Sequence, residues 1–477
     1  MGKESKTGLT AKKSDFSEWY TQAIQKGELM DYTDVSGAIV IRPNAYHIWE
    51  KVQEYIDSRI KKMGVKNAYF PSLIPESLLK KEKEHVKGFN PEVAWVTHTG
   101  DTKLAEKLAI RPTSETIMYP SYAKWIRSYK DLPLKINQWN SVVRWEFKHP
   151  VPFLRTREFL WQEGHSAFAT KEESEEEVSQ ILDLYASVFE ELLAVPVLKG
   201  KKSEKEKFAG ADYTLSVETL LPNGKAVQGA TSHNLGQNFS KVFDISFLDE
   251  KGDKKYAWQT SWGLSTRSIG ILVSVHGDDH GLVLPPKVAP IQVVIVPVIF
   301  EKQKEKILKK AMEIKKSLVG ILAHLDSRED YSAGWKFHDW ELKGVPIRIE
   351  IGPKDLEKDQ AVLVRRDTLK KETVKLSSLK KRVQDVLEDI QRNLFKKASA
   401  FLKANISVAK SIEEIKSMVN KGKIAKISWC GSDSCEEQIK VKTGAKTLNI
   451  PEKEKPSGSC IICKKPARAV AYIAKSY

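Results

Sequence analysis

Val142–Gly164, VVRWEFKHPVPFLRTREFLWQEG, is the stretch from which the rest of the chain can be read. VVRWEF and EFLWQEG have strand character, and the loop between them carries His149, Pro150, Pro152, Arg155 and Arg157. Side chains alternate faces along a strand, so Arg144 and Glu146 are expected on one face of the first run. By the same rule Phe159, Trp161, Glu163 and His165 share a face of the second. A hairpin of the two runs presents cations, carboxylates and aromatic rings on one surface. A single arginine there reads as a solvated charge. Together they suit an anionic, planar ligand, which points to a nucleotide.

At 477 residues the chain has room for roughly three domains. An apolar fraction of 41% and 12 tryptophans allow sizeable cores. No run of about 18 apolar residues is present, so no membrane span is expected. The opening MGKESKTGLTAKK is basic without the apolar stretch of a signal peptide, and a cytoplasmic location is expected. Charge is unevenly spread: residues 1–290 carry a net +1, residues 291–477 a net +15, and 396–477 alone +10. That asymmetry fits a polyanion contacted by the C-terminal part, since phosphate neutralisation dominates nucleic-acid affinity.

All four cysteines lie in that basic part. Cys430 and Cys435 form C-x4-C, Cys460 and Cys463 form C-x2-C, and 24 residues separate the pairs. Paired thiolates at turn spacing suit a closed, structural tetrahedral zinc site. A disulfide pair is the alternative, disfavoured by the expected reducing compartment.

Along the chain, residues 14–30 have helical apolar spacing with Ser14 as a candidate N-cap. Residues 44–63 read as an amphipathic helix with Ile48, Val52, Ile56 and Ile60 on one face, ended by Gly64. NAYFPSLIP re-extends the chain with Pro71 in a strand; the segment 44–71 is either core or a dimer seam. RPTSET breaks a strand and starts a helix with Thr113 as N-cap, and Thr113 with Glu115 also suits an ammonium group. The acidic helix 170–194 opens on a Thr170/Glu173 capping box and reads as solvated. Residues 225–238 gather Gln228, Thr231, Ser232 and His233 in one strand-like run. A small-residue turn from Ser261 to Thr266 delivers Arg267 to the start of an apolar helix. A cation at that positive end calls for an anion beside it. Pro285, Pro286 and Pro290 mark a domain boundary, after which strands and helices alternate as in a compact α/β domain.

These residues carry a resemblance. RPTSET, FLRTREFLWQEGH, KFAGAD, GATSHNLGQNF, TSWGLSTR and the four-cysteine module together resemble the class II prolyl-tRNA synthetases of archaeal/eukaryotic type, over the whole chain. The resemblance implies an α+β protein in four parts. These are an N-terminal extension (1–16), an antiparallel-sheet catalytic domain (17–286), an α/β anticodon-binding domain (287–395) and a small zinc-binding α/β domain (396–477). It implies proline held by Thr113, Glu115, Arg144 and His233, with Phe89, Trp161, Glu163, His165 and Phe208 walling its ring. ATP is implied at Arg144, Glu146, Arg155, Thr156, Gln228, Thr231, Ser265 and Arg267, with adenine stacked on Phe159. The implied catalytic groups are Arg144, Arg155, Arg267 and Glu146. The implied partners are L-proline, ATP with Mg²⁺, tRNA(Pro) and a second copy of the chain, with neither membrane nor DNA; the zinc at Cys430, Cys435, Cys460 and Cys463 is structural.

The chemistry agrees. A carboxylate needs no general base to attack the α-phosphate; it needs alignment and relief of charge repulsion, which Arg144, Arg155 and Arg267 with Mg²⁺ supply. Glu146 and Glu158 are both candidates to hold the metal. Threonyl and one kind of seryl enzyme use a catalytic zinc with a cysteine ligand, and no cysteine precedes Cys430. A non-catalytic paralogue is expected to lose the ATP arginines, which are kept here. A general RNA-binding protein explains the basic C-terminal part but not the first half. Arg144 and Arg267 are 123 positions apart, too close to admit an inserted editing domain, so no cis editing of alanine is expected. The resemblance also implies that Tyr477 reaches back toward the active site, and the alternation in AVAYIA predicts a docked strand before it. Arg348, Lys354 and Lys336 are unranked candidates for contacts to the anticodon.

Overall fold

The computed structural model describes residues 8–85, 92–146, 148–299 and 303–477. The hairpin is present, but its first arm lies earlier than expected: the strands are Leu134–Val143 and Glu158–Phe168. Arg144–Glu146 therefore follow the strand instead of forming it. The ladder's hydrogen bonding runs one step further, from Arg144 N–H to the Arg157 carbonyl (2.7 Å), and the backbone then departs as Trp145 N–H bonds to the Glu92 carbonyl (3.1 Å).

These arms are the second and third strands of a seven-stranded sheet. Its order is Lys66–Asn67, Leu134–Val143, Glu158–Phe168, Trp258–Ser265, Ala226–Gly236, Tyr213–Leu220 and Leu198–Lys201. All neighbours are antiparallel except the first pair. The segment expected as a small-residue turn, Ser261 to Thr266, is mostly strand, because its residues pair with both Glu158–Phe168 and Ala226–Gly236. One sheet face is covered by the helix Lys171–Ser187. Tyr185 donates to Gln162 (2.7 Å), while Ser166 (3.1 Å) and Thr260 (2.5 Å) donate to Glu177. The capping box is as expected, but this helix is not merely solvated: Glu177, Val178, Ile181 and Tyr185 are buried.

The helix Pro43–Lys62 buries Ile48, Val52, Ile56 and Ile60 in the chain's own core with Trp19, Tyr185 and Phe189. That face is core, and is not available as a dimer seam. Gly64, at φ +83°, ends the helix in the left-handed region glycine tolerates. Pro71 falls between the short strands Lys66–Asn67 and Leu73–Pro75. The helix Phe16–Lys26 starts after Asp15, not Ser14.

From Val293 the expected α/β alternation is found: a five-stranded mixed sheet ordered Ala323–Leu325, Val293–Pro297, Ile347–Ile351, Gln360–Arg365, Lys371–Lys375. Val293–Pro297 is buried throughout, as its unbroken apolar run requires. The helix Leu379–Ala404 leads into a four-stranded sheet ordered Ile406–Val408, Ile424–Trp429, Ala469–Ala474, Lys446–Thr447. Among the described residues no helix is long and apolar enough to cross a membrane.

Candidate active site

Strand register builds the site. His165 pairs with Ser261, Ser261 with His233, and His233 with Thr214, so one row of side chains crosses four strands. The next row is Glu163, Gly263 and Thr231, and Trp161 stands opposite Ser265 one step further. Paired residues point to the same side of a sheet, so all of them face one cavity of about 270 Å³. Trp262 packs across Gly164, where a Cβ would come within 2.1 Å of its indole; WQEG has to end in glycine.

The cavity is lined by Thr113, Glu115, Arg144, Phe159, Trp161, Glu163, His165, Phe208, Gln228, Thr231, His233, Ser265 and Arg267, thirteen of the expected residues. Three others are not in its lining. Glu146 is exposed beyond the strand end, Thr156 is buried, and Arg155 is exposed yet close enough to Arg267 to depress its pKa. Phe89 lies outside the described residues.

Charge is distributed unequally within the cavity. Glu163 accepts from Asn140 Nδ2 (2.7 Å), Gln138 Nε2 (3.2 Å) and the Ser114 hydroxyl, and its other oxygen meets His165 Nε2 (3.1 Å). Burial pushes the Glu163 carboxyl up, but His165, Ser114 and Asn140 outweigh it and hold it below the usual range. Burial pulls His165 down, and Glu163 with Glu115 raises it above its ordinary value. The two form a charged pair under the cavity floor, with Tyr119 Oη on His165 Nδ1 (3.1 Å). His233 behaves oppositely: burial, then His165, Arg144 and Lys202, lower it to about 3, so it is neutral. Thr214 Oγ1 accepts from Phe208 N–H (3.0 Å) and meets His233 Nδ1 (2.8 Å). With Nδ1 accepting the Thr214 hydroxyl, Nε2 carries the ring hydrogen as a donor.

Thr113 donates to Glu115, which is itself buried, so a carboxylate waits at the start of the helix Glu115–Trp125. Thr113 is not that helix's cap; Ser114 occupies the position and spends its hydroxyl on Glu163. Arg144 Nε donates to the Pro112 carbonyl (2.8 Å) and its guanidinium lies 5.2 Å from the Trp161 ring centre. Arg267 donates to the carbonyls of Leu154 (2.9 Å) and Gln228 (3.3 Å). Burial, then Arg144 and Arg155, lower its pKa to about 10, still a full cation at neutral pH.

Thr214, Ser114, Gln138, Asn140 and Tyr119 were not anticipated. Isolated hydroxyl and amide residues in strands carry no pattern; only register places Thr214 beside His233 and Asn140 beside Trp161.

The four thiols converge as spaced: their sulfurs lie within 4.8 Å of one another, and Cys430 and Cys463 are 3.7 Å apart. A tetrahedron of sulfurs at the usual zinc–sulfur distance has edges of about 3.8 Å, so the donor set fits zinc.

Residues 96–276 match the tRNA synthetase class II core domain (G, H, P, S and T), 292–386 the anticodon binding domain, and 412–477 the C-terminal region of prolyl-tRNA synthetase. The proline--tRNA ligase of Natranaerobius thermophilus is 52% identical, over 95% of this chain and 94% of its own. The bifunctional glutamate/proline--tRNA ligase of Cricetulus griseus is 51% identical across the whole chain, which spans only 33% of that relative's length. A crystal structure of prolyl-tRNA synthetase from Cryptosporidium parvum, complexed with halofuginone and AMPPNP, superposes with a TM-score of 0.95 at 49% identity. The match covers 99% of this chain and 100% of that one.

Proposed function

The chain belongs to the class II prolyl-tRNA synthetases, and from that premise we propose that it joins L-proline to tRNA(Pro) in two steps. Proline carboxylate attacks the α-phosphate of magnesium-bound ATP, a C–O–P bond forms and pyrophosphate leaves with the electron pair. A ribose hydroxyl at the tRNA 3′ end then attacks the activated carbonyl, releasing AMP and a proton.

The observation that carries this reading is one cavity holding an anionic amine acceptor, Thr113 with Glu115, beside two guanidinium groups, Arg144 and Arg267. Glu115 takes the ammonium. Trp161, His165 and Phe208 enclose the ring, Glu163 holds His165 charged beneath it, and neutral His233 donates to the carboxyl end. Arg144 and Arg267, with Arg155 at the rim, spread the charge of the phosphates, and Phe159 is placed for adenine stacking. Gln228, Thr231 and Ser265 supply polar contacts to the nucleotide, and Glu146 or Glu158 would hold its metal. No side chain has to move a proton in the first step; the site works by charge and alignment.

The four thiolates hold a structural zinc, testable by metal content of the purified chain: about one zinc per chain is expected, and none would contradict it. The proposed parts are 1–16, 17–286, 287–395 and 396–477, with the helix Leu379–Ala404 running across the last boundary, and the basic 396–477 module and 287–395 domain face tRNA. A homodimer forms through the 44–71 region, by its exposed residues Tyr46 and Tyr69. The enzyme acts in the cytoplasm and has no cis editing: between Arg144 and Arg267 every described strand of four or more residues joins the central sheet. Tyr477 supports the nucleotide side of the site: its N–H bonds to Ala226 (3.1 Å) and its hydroxyl accepts from Asn223 (2.8 Å). Charging of tRNA(Pro) with labelled proline tests the whole. Charging is expected; none with an active adenylation step would end the tRNA half, and rapid hydrolysis of Ala-tRNA(Pro) would end the editing claim.

A further inference from the structure

The outermost strand of the central sheet, Leu198–Lys201, is not left open. Lys201 and Ile450 exchange backbone hydrogen bonds (2.9 and 2.8 Å), and Asn449 Nδ2 donates to the Leu198 carbonyl (2.9 Å). Nearby, Gly224 and Gly422 sit at φ +76° and +70°. A Cβ on either would come within 2.3 or 2.8 Å of the other's Cα. The cysteine module is thus seated closely on the edge of the sheet.

From that seat it reaches the loop that follows the edge strand. The helix Asp433–Thr443 begins beside the sulfur cluster and carries Cys435. Ser203 Oγ donates to Glu436 Oε1 (2.6 Å) with both residues buried, and the second oxygen of Glu436 has no partner among the described residues. Lys205 meets Glu437 (2.8 Å), a half-exposed pair worth little by comparison. Ser203 opens a turn: its carbonyl accepts from Glu206 N–H (3.2 Å) and Lys207 N–H (3.0 Å). The next residue is Phe208, whose ring centre lies 4.8 Å from that of His233.

We propose that Glu436 is a positioning residue for the amino-acid pocket. From the cysteine module it holds Ser203, hence the 203–208 turn, hence the wall that Phe208 forms against His233. This rests on the reading of the cavity as the proline site. The metal module then governs affinity for the amino acid without touching it, and leaves the ATP side alone.

The test uses the full, metal-loaded chain and pyrophosphate exchange with proline and ATP varied separately. Glu436→Ala and Ser203→Ala are each expected to raise the proline KM about 10-fold, the loss of one charge-assisted hydrogen bond, with kcat and the ATP KM within about 2-fold. Glu436→Gln keeps an acceptor for Ser203 and is expected to recover most of the loss. The double variant is expected to be no worse than the worse single one. Independently of activity, trypsin is expected to cut faster at Lys202, Lys205 and Lys207 in Glu436→Ala, and in wild type stripped of metal. Proline and ATP KM values rising together, or unchanged ones with unchanged cutting, would overturn the proposal. Should Glu436→Ala not fold, Ser203→Ala decides. A wild type without proline-dependent exchange would defeat the functional reading itself, and this proposal with it; exchange in wild type with unaltered variants defeats this proposal alone.

Discussion

Arginines in the cavity and arginines in the five-stranded domain are held in opposite ways. Arg366 grips Asp278 with both ends of its guanidinium (2.7 and 2.6 Å). Arg348 meets Glu341 (2.7 Å) and Glu350 (2.9 Å), and Arg328 meets Asp326 (2.6 Å) and Asp339 (2.9 Å). Hydrogen bonds donated to Asp326, and then to Asp339, raise Arg328 above its ordinary pKa against the pull of burial. Arg144 and Arg267 are bonded to backbone carbonyls instead, and burial lowers Arg267. Among the described residues no carboxylate is hydrogen-bonded to either, Arg267 feeling Glu218 only at a distance, and a cation so held makes sense where a ligand brings the charge. Arginines braced by carboxylates act as scaffolding, and in the proposed function Arg144 and Arg267, held only by carbonyls, are the ones that meet phosphate.

The largest effect is expected from Arg267→Ala. Pyrophosphate exchange should fall about 10³-fold, as when one preorganised charge donor is removed, while the melting temperature holds or rises. Loss of folding with activity preserved per folded molecule would break the comparison. Glu115→Gln comes next. The proline KM should rise about 50-fold with the ATP KM unchanged, since a neutral amide no longer pairs with the ammonium. An equal rise in both would mean that Glu115 serves the nucleotide. Arg366→Ala should invert the pattern: kcat retained, stability lower by about 1–2 kcal/mol in denaturant titration. Solvent screens the pair on one side, since the Asp278 side chain is 41% exposed. Loss of exchange from that variant would make Arg366 more than scaffolding.

The smallest effect is in pH. His165 is raised above 6.5, so its contribution to stability is full below that value and is lost as pH climbs through the higher folded value. Glu163 is lowered below 4.5, so its contribution is present above that value and disappears as pH falls through the depressed one. Stability from the pair is therefore greatest between the two. The melting temperature of wild type should decline on the alkaline side, and Glu163→Gln should flatten that decline. Superimposable profiles would show that the pair is not charged.

Much of this site was legible in order along the chain. Period-two alternation alone put Phe159, Trp161, Glu163 and His165 on one face, because strand geometry leaves no other choice. Arg267 stood out because a cation at a helix N-terminus is electrostatically misplaced. The four cysteines needed only their spacing. What stayed hidden depends on long-range register. The first arm departs from its partner after Arg144 because Trp145 N–H bonds to Glu92 instead. Thr214 matters because it stands opposite His233, and Ser114 because it turns toward Glu163, 49 positions away. The apolar stripe of the helix Pro43–Lys62 announced burial but not its partner, which is the chain's own core. Ser203 and Glu436, 233 positions apart, carry no common pattern at all.

Pyrophosphate exchange without tRNA, run with proline, threonine, alanine and cysteine in parallel, bears most directly on the claim that this cavity activates proline. Strong exchange with proline is expected, and a loss of it in Arg267→Ala. Silence with every amino acid, with and without added tRNA(Pro), or a preference for threonine, would contradict the account.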